Sequence, residues 1–282
     1  MRLVDAHAHV QADRFARDLP GVLGAAAASG VERLLVPGWN VVSSREAVAL
    51  AHAPTPGAPP IDAAVGIHPH EASGADDSAW AEIAALAAEP FVVAIGETGL
   101  DYDRAFSPRE DQLVNLRRHL ALGRETGKPV ILHCRSAAGL RDAQDDLIAE
   151  LRTAGVGDRA WRERLGGRPP AVLHSFSGPV DYAEAALGLG LAIGFSGLVF
   201  RRTEESSADA VRRVPAQRLL VETDSPYLSP PGAPKRRNEP AWVGVTAHWV
   251  ARQRDADPDT LGAALVAAYD ATFGRGTGEQ GT

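Results

Sequence analysis

The chain has 282 residues, is 45% hydrophobic and carries a formal net charge of −7. That length admits one large α/β barrel or two small domains with a sizeable core, and the acidic balance excludes a global nucleic-acid footprint, leaving only local basic patches or bound metal for such contacts. One cysteine, Cys134, excludes an internal disulfide, and no apolar run approaches bilayer-spanning length.

Met1-Arg2-Leu3-Val4-Asp5 leads directly into a strand, with no signal peptide, so the cytoplasm is the expected compartment. A monomer is the default state. In chain order, short β-rich segments are expected over residues 3–9, 33–38, 63–68, 92–100, 129–134, 171–176, 191–196 and 219–224. Several are near-continuous apolar runs, as strands buried on both faces should be. Helices are expected between them. One over 78–88 opens on a serine. One over 109–126 has Ser107-Pro108 before it, Leu113, Leu116 and Leu120 at helical spacing, and Gly127 as its stop. Others cover 136–154, 181–188, 241–254 and 258–273. Such alternation implies a parallel sheet with right-handed crossovers. Eight units in this length favour a single closed (β/α)8 TIM barrel over an open, doubly wound sheet, with residues 1–273 as the barrel and 274–282 as a flexible tail. Residues 54–60 read as a loop. Residues 155–170 form a basic insert with Arg159, Arg162, Arg164 and Arg168.

Six of the nine histidines fall on or just after expected strand ends, as His7, His9, His68, His70, His133 and His174. In a barrel these ends converge on one face, where active sites lie. His7 and His9 are two apart on one strand and point the same way. Two imidazoles side by side repel when protonated, and a shared cation relieves this. His, Asp and Glu without thiolate suit a catalytic Zn²⁺, Mn²⁺ or Mg²⁺. The candidate ligands are His7, His9, Glu97, His133, His174 and Asp224, more than one ion needs. That surplus points to two divalent ions bridged by a carboxylate, with Glu97 on the middle strand as the bridge. The only lysines, Lys128 and Lys235, lie away from the strand ends, which excludes a carbamylated-lysine bridge. Two such ions generate a nucleophile from water and clamp a phosphoryl oxygen. Asp224, at the end of strand eight, is placed to ligate one ion and take the water's proton.

These residues lie in stretches that resemble the TatD family of metal-dependent deoxyribonucleases, within the amidohydrolase-like barrels. The stretches are Asp5-Ala6-His7-Ala8-His9, Gly66-Ile67-His68-Pro69-His70, and Gly96-Glu97-Thr98-Gly99-Leu100-Asp101-Tyr102. They continue through Gln112, Pro129-Val130-Ile131-Leu132-His133-Cys134-Arg135, His174-Ser175-Phe176-Ser177-Gly178, Glu222-Thr223-Asp224-Ser225-Pro226-Tyr227-Leu228 and Asn238-Glu239-Pro240. The resemblance implies that His7, His9, Glu97 and Asp224 hold one ion and Glu97, His133 and His174 the other. It implies hydrolysis of DNA phosphodiesters, with a 3′→5′ exonuclease preference on single-stranded 3′ ends. It places His68 near the metals as a contact to the scissile phosphate, and Arg135 is a second phosphate candidate. Mg²⁺ or Mn²⁺ suits that chemistry, and the histidine-rich set also suits Zn²⁺. The alternative is a small-molecule amidohydrolase or esterase of the same barrel superfamily. The chain departs from the pattern in the 41-residue gap from His133 to His174, which the basic insert lengthens. The insert's arginines are expected either to extend a nucleic-acid groove or to form a solvated loop. Asp270 stands where the family usually has asparagine.

Overall fold

The computed structural model describes residues 1–204 and 206–274. Its strands are β1 (Leu3–Asp5), β2 (Val31–Pro37), β3 (Ile61–Val65), β4 (Val92–Asp101), β5 (Val130–Arg135), β6 (Ala171–Leu173), β7 (Ala192–Phe195) and β8 (Leu219–Val221). They pair in parallel in the order β1 through β8. Backbone bonds then join the two ends of the sheet. Ala6 N–H donates to Val221 O at 3.0 Å, Asp224 N–H to His7 O at 2.9 Å and His9 N–H to Ser225 O at 2.7 Å. The Asp5 carboxylate reinforces the seam, accepting from Thr223 N–H at 2.9 Å and Thr223 Oγ1–H at 2.6 Å. The sheet is therefore a (β/α)8 barrel, as the alternation predicts.

Around it run α1 (Leu19–Ala28), α2 (Val41–His52), α3 (Asp77–Leu86), α4 (Arg109–Thr126), α5 (Asp142–Thr153), α6 (Arg159–Arg164), α7 (Val180–Gly188), α8 (Ser207–Arg213), α9 (Val243–Gln253) and α10 (Pro258–Phe273). Two apolar layers result. Leu34, Val65, Val130, Leu132 and Ile193 face the helices. Leu35, Ala64, Ile131, Val172, Ala192 and Leu220 fill the barrel, closed at its base by Tyr269 and Phe273 of α10. The alternation along β5 is direct: Ile131 and His133 share the inner face, with Ile131 in the packing layer and His133 above it. Among the described residues no helix is long and apolar enough to cross a membrane.

The bounds of α4 and α10 coincide with those expected. Elsewhere the structure corrects the expectation. The first strand stops at Asp5 rather than His9. Val4 and Ala6 lie in the inner layer, yet His7 and His9 also face the centre, so the strict alternation breaks after Ala6. The helix expected from residue 136 begins at Asp142; Ser136 reaches it from outside, its Oγ accepting from Ala143 N–H at 2.9 Å. The basic insert is a folded element. Asp158 caps α6 through Trp161 N–H at 2.8 Å, and Trp161 is 1% exposed. The insert precedes β6, so it lies at the base of the barrel, opposite the strand ends that carry the histidines. There Arg164 binds the carbonyls of Arg124 and Glu125 at the end of α4, and Arg168 that of Gly127. It is neither a solvated loop nor an extension of a groove at the mouth. Asp270 is held too, by Arg33 at 3.1 Å. Gly274 forms the C-cap of α10, and the rest of the expected tail lies outside the described residues.

Candidate metal centre

The six candidate ligands come from five strand ends, and all six meet. Glu97, at 3% exposure, stands in the middle of β4 and divides its two oxygens. Oε2 lies 3.3 Å from His7 Nε2 and 3.5 Å from His9 Nε2. Oε1 lies 2.9 Å from His174 Nε2 and 3.1 Å from His133 Nδ1. Asp224 Oδ1 closes the first side, 3.5 Å from His9 Nε2 and 3.9 Å from His7 Nε2. The backbone admits this crowding through glycine. A Cβ on Gly66 would sit 2.5 Å from Gly96 Cα, so strands β3 and β4 approach just before their functional residues only without side chains there.

Three of the four imidazoles have a partner behind them, and His7 Nδ1 is buried without one. His9 Nδ1–H donates to Pro37 O at 3.1 Å, and His174 Nδ1–H to Glu222 Oε1 at 3.1 Å. Both rings therefore turn Nε2 to the centre. Burial pulls each imidazole down, but Asp224 and Glu97 hold His9 raised, and Glu97 and Glu222 hold His174 well above its ordinary value. His133 presents Nδ1 instead, with Nε2 3.4 Å from Asp101 Oδ2. Asp101 is fixed in turn by His70 Nε2–H at 2.7 Å. His7 is fully buried, stacked on His174 at 3.9 Å between ring centroids.

His68 differs. Its Nδ1 accepts from His70 N–H at 3.1 Å, which leaves the ring proton on Nε2. That nitrogen points at Glu97 Oε1 from 3.4 Å as a donor, a poor arrangement for a ligand. Its backbone is anchored through the preceding residue. Ile67 N–H donates to His119 Nε2 at 2.9 Å, and Asn115 Nδ2–H to Ile67 O at 2.7 Å. Arg135 sits on the rim, 41% exposed, paired with Asp103 at 2.8 Å. The structure thus gathers His68 with the six, and leaves Arg135 on an ion pair of its own.

The electrostatics suit cations. Burial pushes the Glu97 carboxyl up, but the imidazoles of His174, His68 and His7 outweigh it and hold the group well below its usual range. Asp224 is also held low: burial raises it, and His9 and the other imidazoles prevail. His7 is driven down by burial and by His174. Burial holds His68 neutral, down to about 4, despite Glu97. Two ionised carboxylates facing four inward nitrogens at 2.9–3.9 Å form a donor set of the His and carboxylate type that divalent ions take. Three overlapping groups have the spacing to hold an ion: His7, His9 and Asp224; His7, Glu97 and His174; His68, Glu97 and His133. The donor proton on His68 argues against the last.

Sequence reasoning missed the layer behind the ligands. Glu222 is fully buried, two residues before Asp224 on the same face of the strand, and that spacing was the available signal. Asp101, at the end of β4, and His119, inside α4, carry no signal beyond position.

The family described as TatD related DNase matches residues 4–274. A relative from Edwardsiella piscicida named 3′-5′ ssDNA/RNA exonuclease TatD is 36% identical over 265 residues, covering 92% of this chain and 94% of its own. One of the same name from Klebsiella pneumoniae is 36% identical over 275 residues, covering 92% and 97%. Among solved structures, the TatD homolog YJJV from Escherichia coli superposes with a TM-score of 0.82 at 27% identity, covering 96% of this chain and 98% of its own.

Proposed function

Because this chain belongs to the TatD related DNase family, we propose that it is a two-metal nuclease that shortens single-stranded DNA from the 3′ end. Membership makes it a hydrolase acting on ester bonds. The observation that carries the finer reading is the divided carboxylate of Glu97, with one oxygen facing His7 and His9 and the other facing His133 and His174. In this reading His7, His9, Glu97 and Asp224 hold one divalent ion, and Glu97, His133 and His174 the other. When bound, the two ions supply an activated water and charge neutralisation at the phosphate. Mg²⁺ and Mn²⁺ suit the phosphodiester, and Zn²⁺ suits the histidines.

The chain's own groups do the rest. Asp224 is the more open of the two ligand carboxylates, at 14% exposure against 3% for Glu97, and accepts the proton of the attacking water. His68 donates from Nε2–H to a non-bridging oxygen of the scissile phosphate. Arg135 is the second phosphate contact, released from Asp103 when substrate arrives. The names of the relatives, 3′-5′ ssDNA/RNA exonucleases, support the polarity and extend the substrate class to RNA. A cytoplasmic monomer belongs to the same proposal; the free Cys134 suits a reducing compartment.

The test is hydrolysis of a 5′-labelled single-stranded DNA oligomer by metal-stripped protein supplied with Mg²⁺, Mn²⁺ or Zn²⁺, beside Glu97→Ala. A ladder shortened from the 3′ end that needs metal and disappears in Glu97→Ala is expected. Metal binding without cleavage of any oligomer refutes the nuclease reading and turns the assignment to a small ester or amide.

A further inference from the structure

On the His9 side of the centre a cleft of about 350 Å³ opens between the segment after β1, the start of α2 and the segment after β8. Trp39 and Tyr227 form two of its walls, and both stand edge-on to His9, with ring centroids 5.4 and 6.2 Å away. Tyr227 is 51% exposed, and the Arg14 guanidinium lies 5.5 Å from its ring centroid. Gln11 lines the same cleft. Its Nε2–H donates to Pro37 O at 2.8 Å, the carbonyl that also accepts His9 Nδ1–H. This contact fixes the amide, and Oε1 is left buried with no hydrogen-bond partner. Asp13 and Glu46 also line it and outnumber Arg14.

That chemistry selects the occupant. An aromatic, half-open cleft beside a phosphate-handling centre offers stacking surface. Two carboxylates against one guanidinium disfavour a second phosphate. We infer that this cleft receives the nucleobase flanking the scissile phosphate, stacked on Trp39. The inference rests on the nuclease reading above.

The test uses the full chain and oligonucleotides carrying an abasic residue at either position flanking the cleaved bond. Wild type should lose about tenfold in kcat/KM when the base that fills the cleft is removed. In Trp39→Ala that gap should shrink, because the lost base and the lost ring are coupled. A Trp39 that merely props His9 would instead lower both substrates and preserve the gap, which overturns the inference. Equal wild-type rates with and without either base also overturn it. Should wild type cleave no oligonucleotide with metal bound, the nuclease reading falls and the subsite with it.

Discussion

His119→Gln should change how stability depends on pH. The ring is buried between α4 and the segment after β3. It accepts from Ile67 N–H at 2.9 Å on Nε2 and donates from Nδ1–H to Asn115 O at 2.8 Å, with Trp80 against it at 4.7 Å. Both nitrogens are committed, one as acceptor, so a second proton has no place. Burial accordingly pushes its pKa down from 6.5 to about 4, against a smaller raising effect of the Asn115 carbonyl. The native ring binds its proton later than the unfolded one as pH falls. This contribution is therefore complete above pH 6.5, declines as pH falls, and is exhausted near pH 4. At about 1.4 kcal/mol per pH unit, the gap is worth about 3 kcal/mol. Urea unfolding of metal-stripped protein at steps from pH 7.5 to 4, wild type against His119→Gln, isolates this residue from the other histidines. The wild type should lose about 3 kcal/mol more than the variant over that window. Parallel pH profiles would refute the argument, since they would mean that the buried ring titrates as it does in water.

Glu222→Gln keeps an acceptor for His174 Nδ1–H but removes the charge behind the ring; calorimetry should show one divalent site weakened by about 10- to 100-fold and the other little changed. Equal loss at both sites would contradict the division at Glu97. Trp161→Ala empties the space under α6 and strands the Ala154 carbonyl that accepts its indole N–H at 3.2 Å; it should cost about 3–5 kcal/mol in urea unfolding, whereas a solvated insert would lose nothing measurable. Neutralising Arg159, Arg162 and Arg164 together should leave the salt dependence of oligonucleotide binding unaltered, because these residues sit at the base of the barrel; a flattened dependence would place nucleic acid there after all.

The eight-unit plan was legible because several strands are short apolar runs and six of the nine histidines fall at or just after expected strand ends. α4 was legible to the residue, since Pro108 precedes it and Gly127 ends it in the left-handed conformation, at φ 68°. α1 was not. Its LPGVLGAAAA run has two glycines and no polar stripe, so packing against the barrel, rather than periodicity, makes it helical. α2 carried a readable start that went unused, the reciprocal cap between Asn40 and Ser43. That the six candidate residues meet was legible because strand ends converge in any barrel. The division of Glu97 was expected from ligand number, but its geometry depends on the register of β4 against its neighbours. The tautomer of His68 depends on one backbone N–H, and the exposed cleft beside His9 on three segments remote in sequence. None of these leaves a local trace.

The seam between Asp5 and Thr223 has a consequence for how the protein is made. Asp224 follows His9 by 215 residues along the chain. Until β8 docks beside β1, the barrel is open and the histidine pair lacks the second of its two carboxylates, Asp224. A growing chain therefore has no complete centre until the segment after β8 is made and docks beside β1.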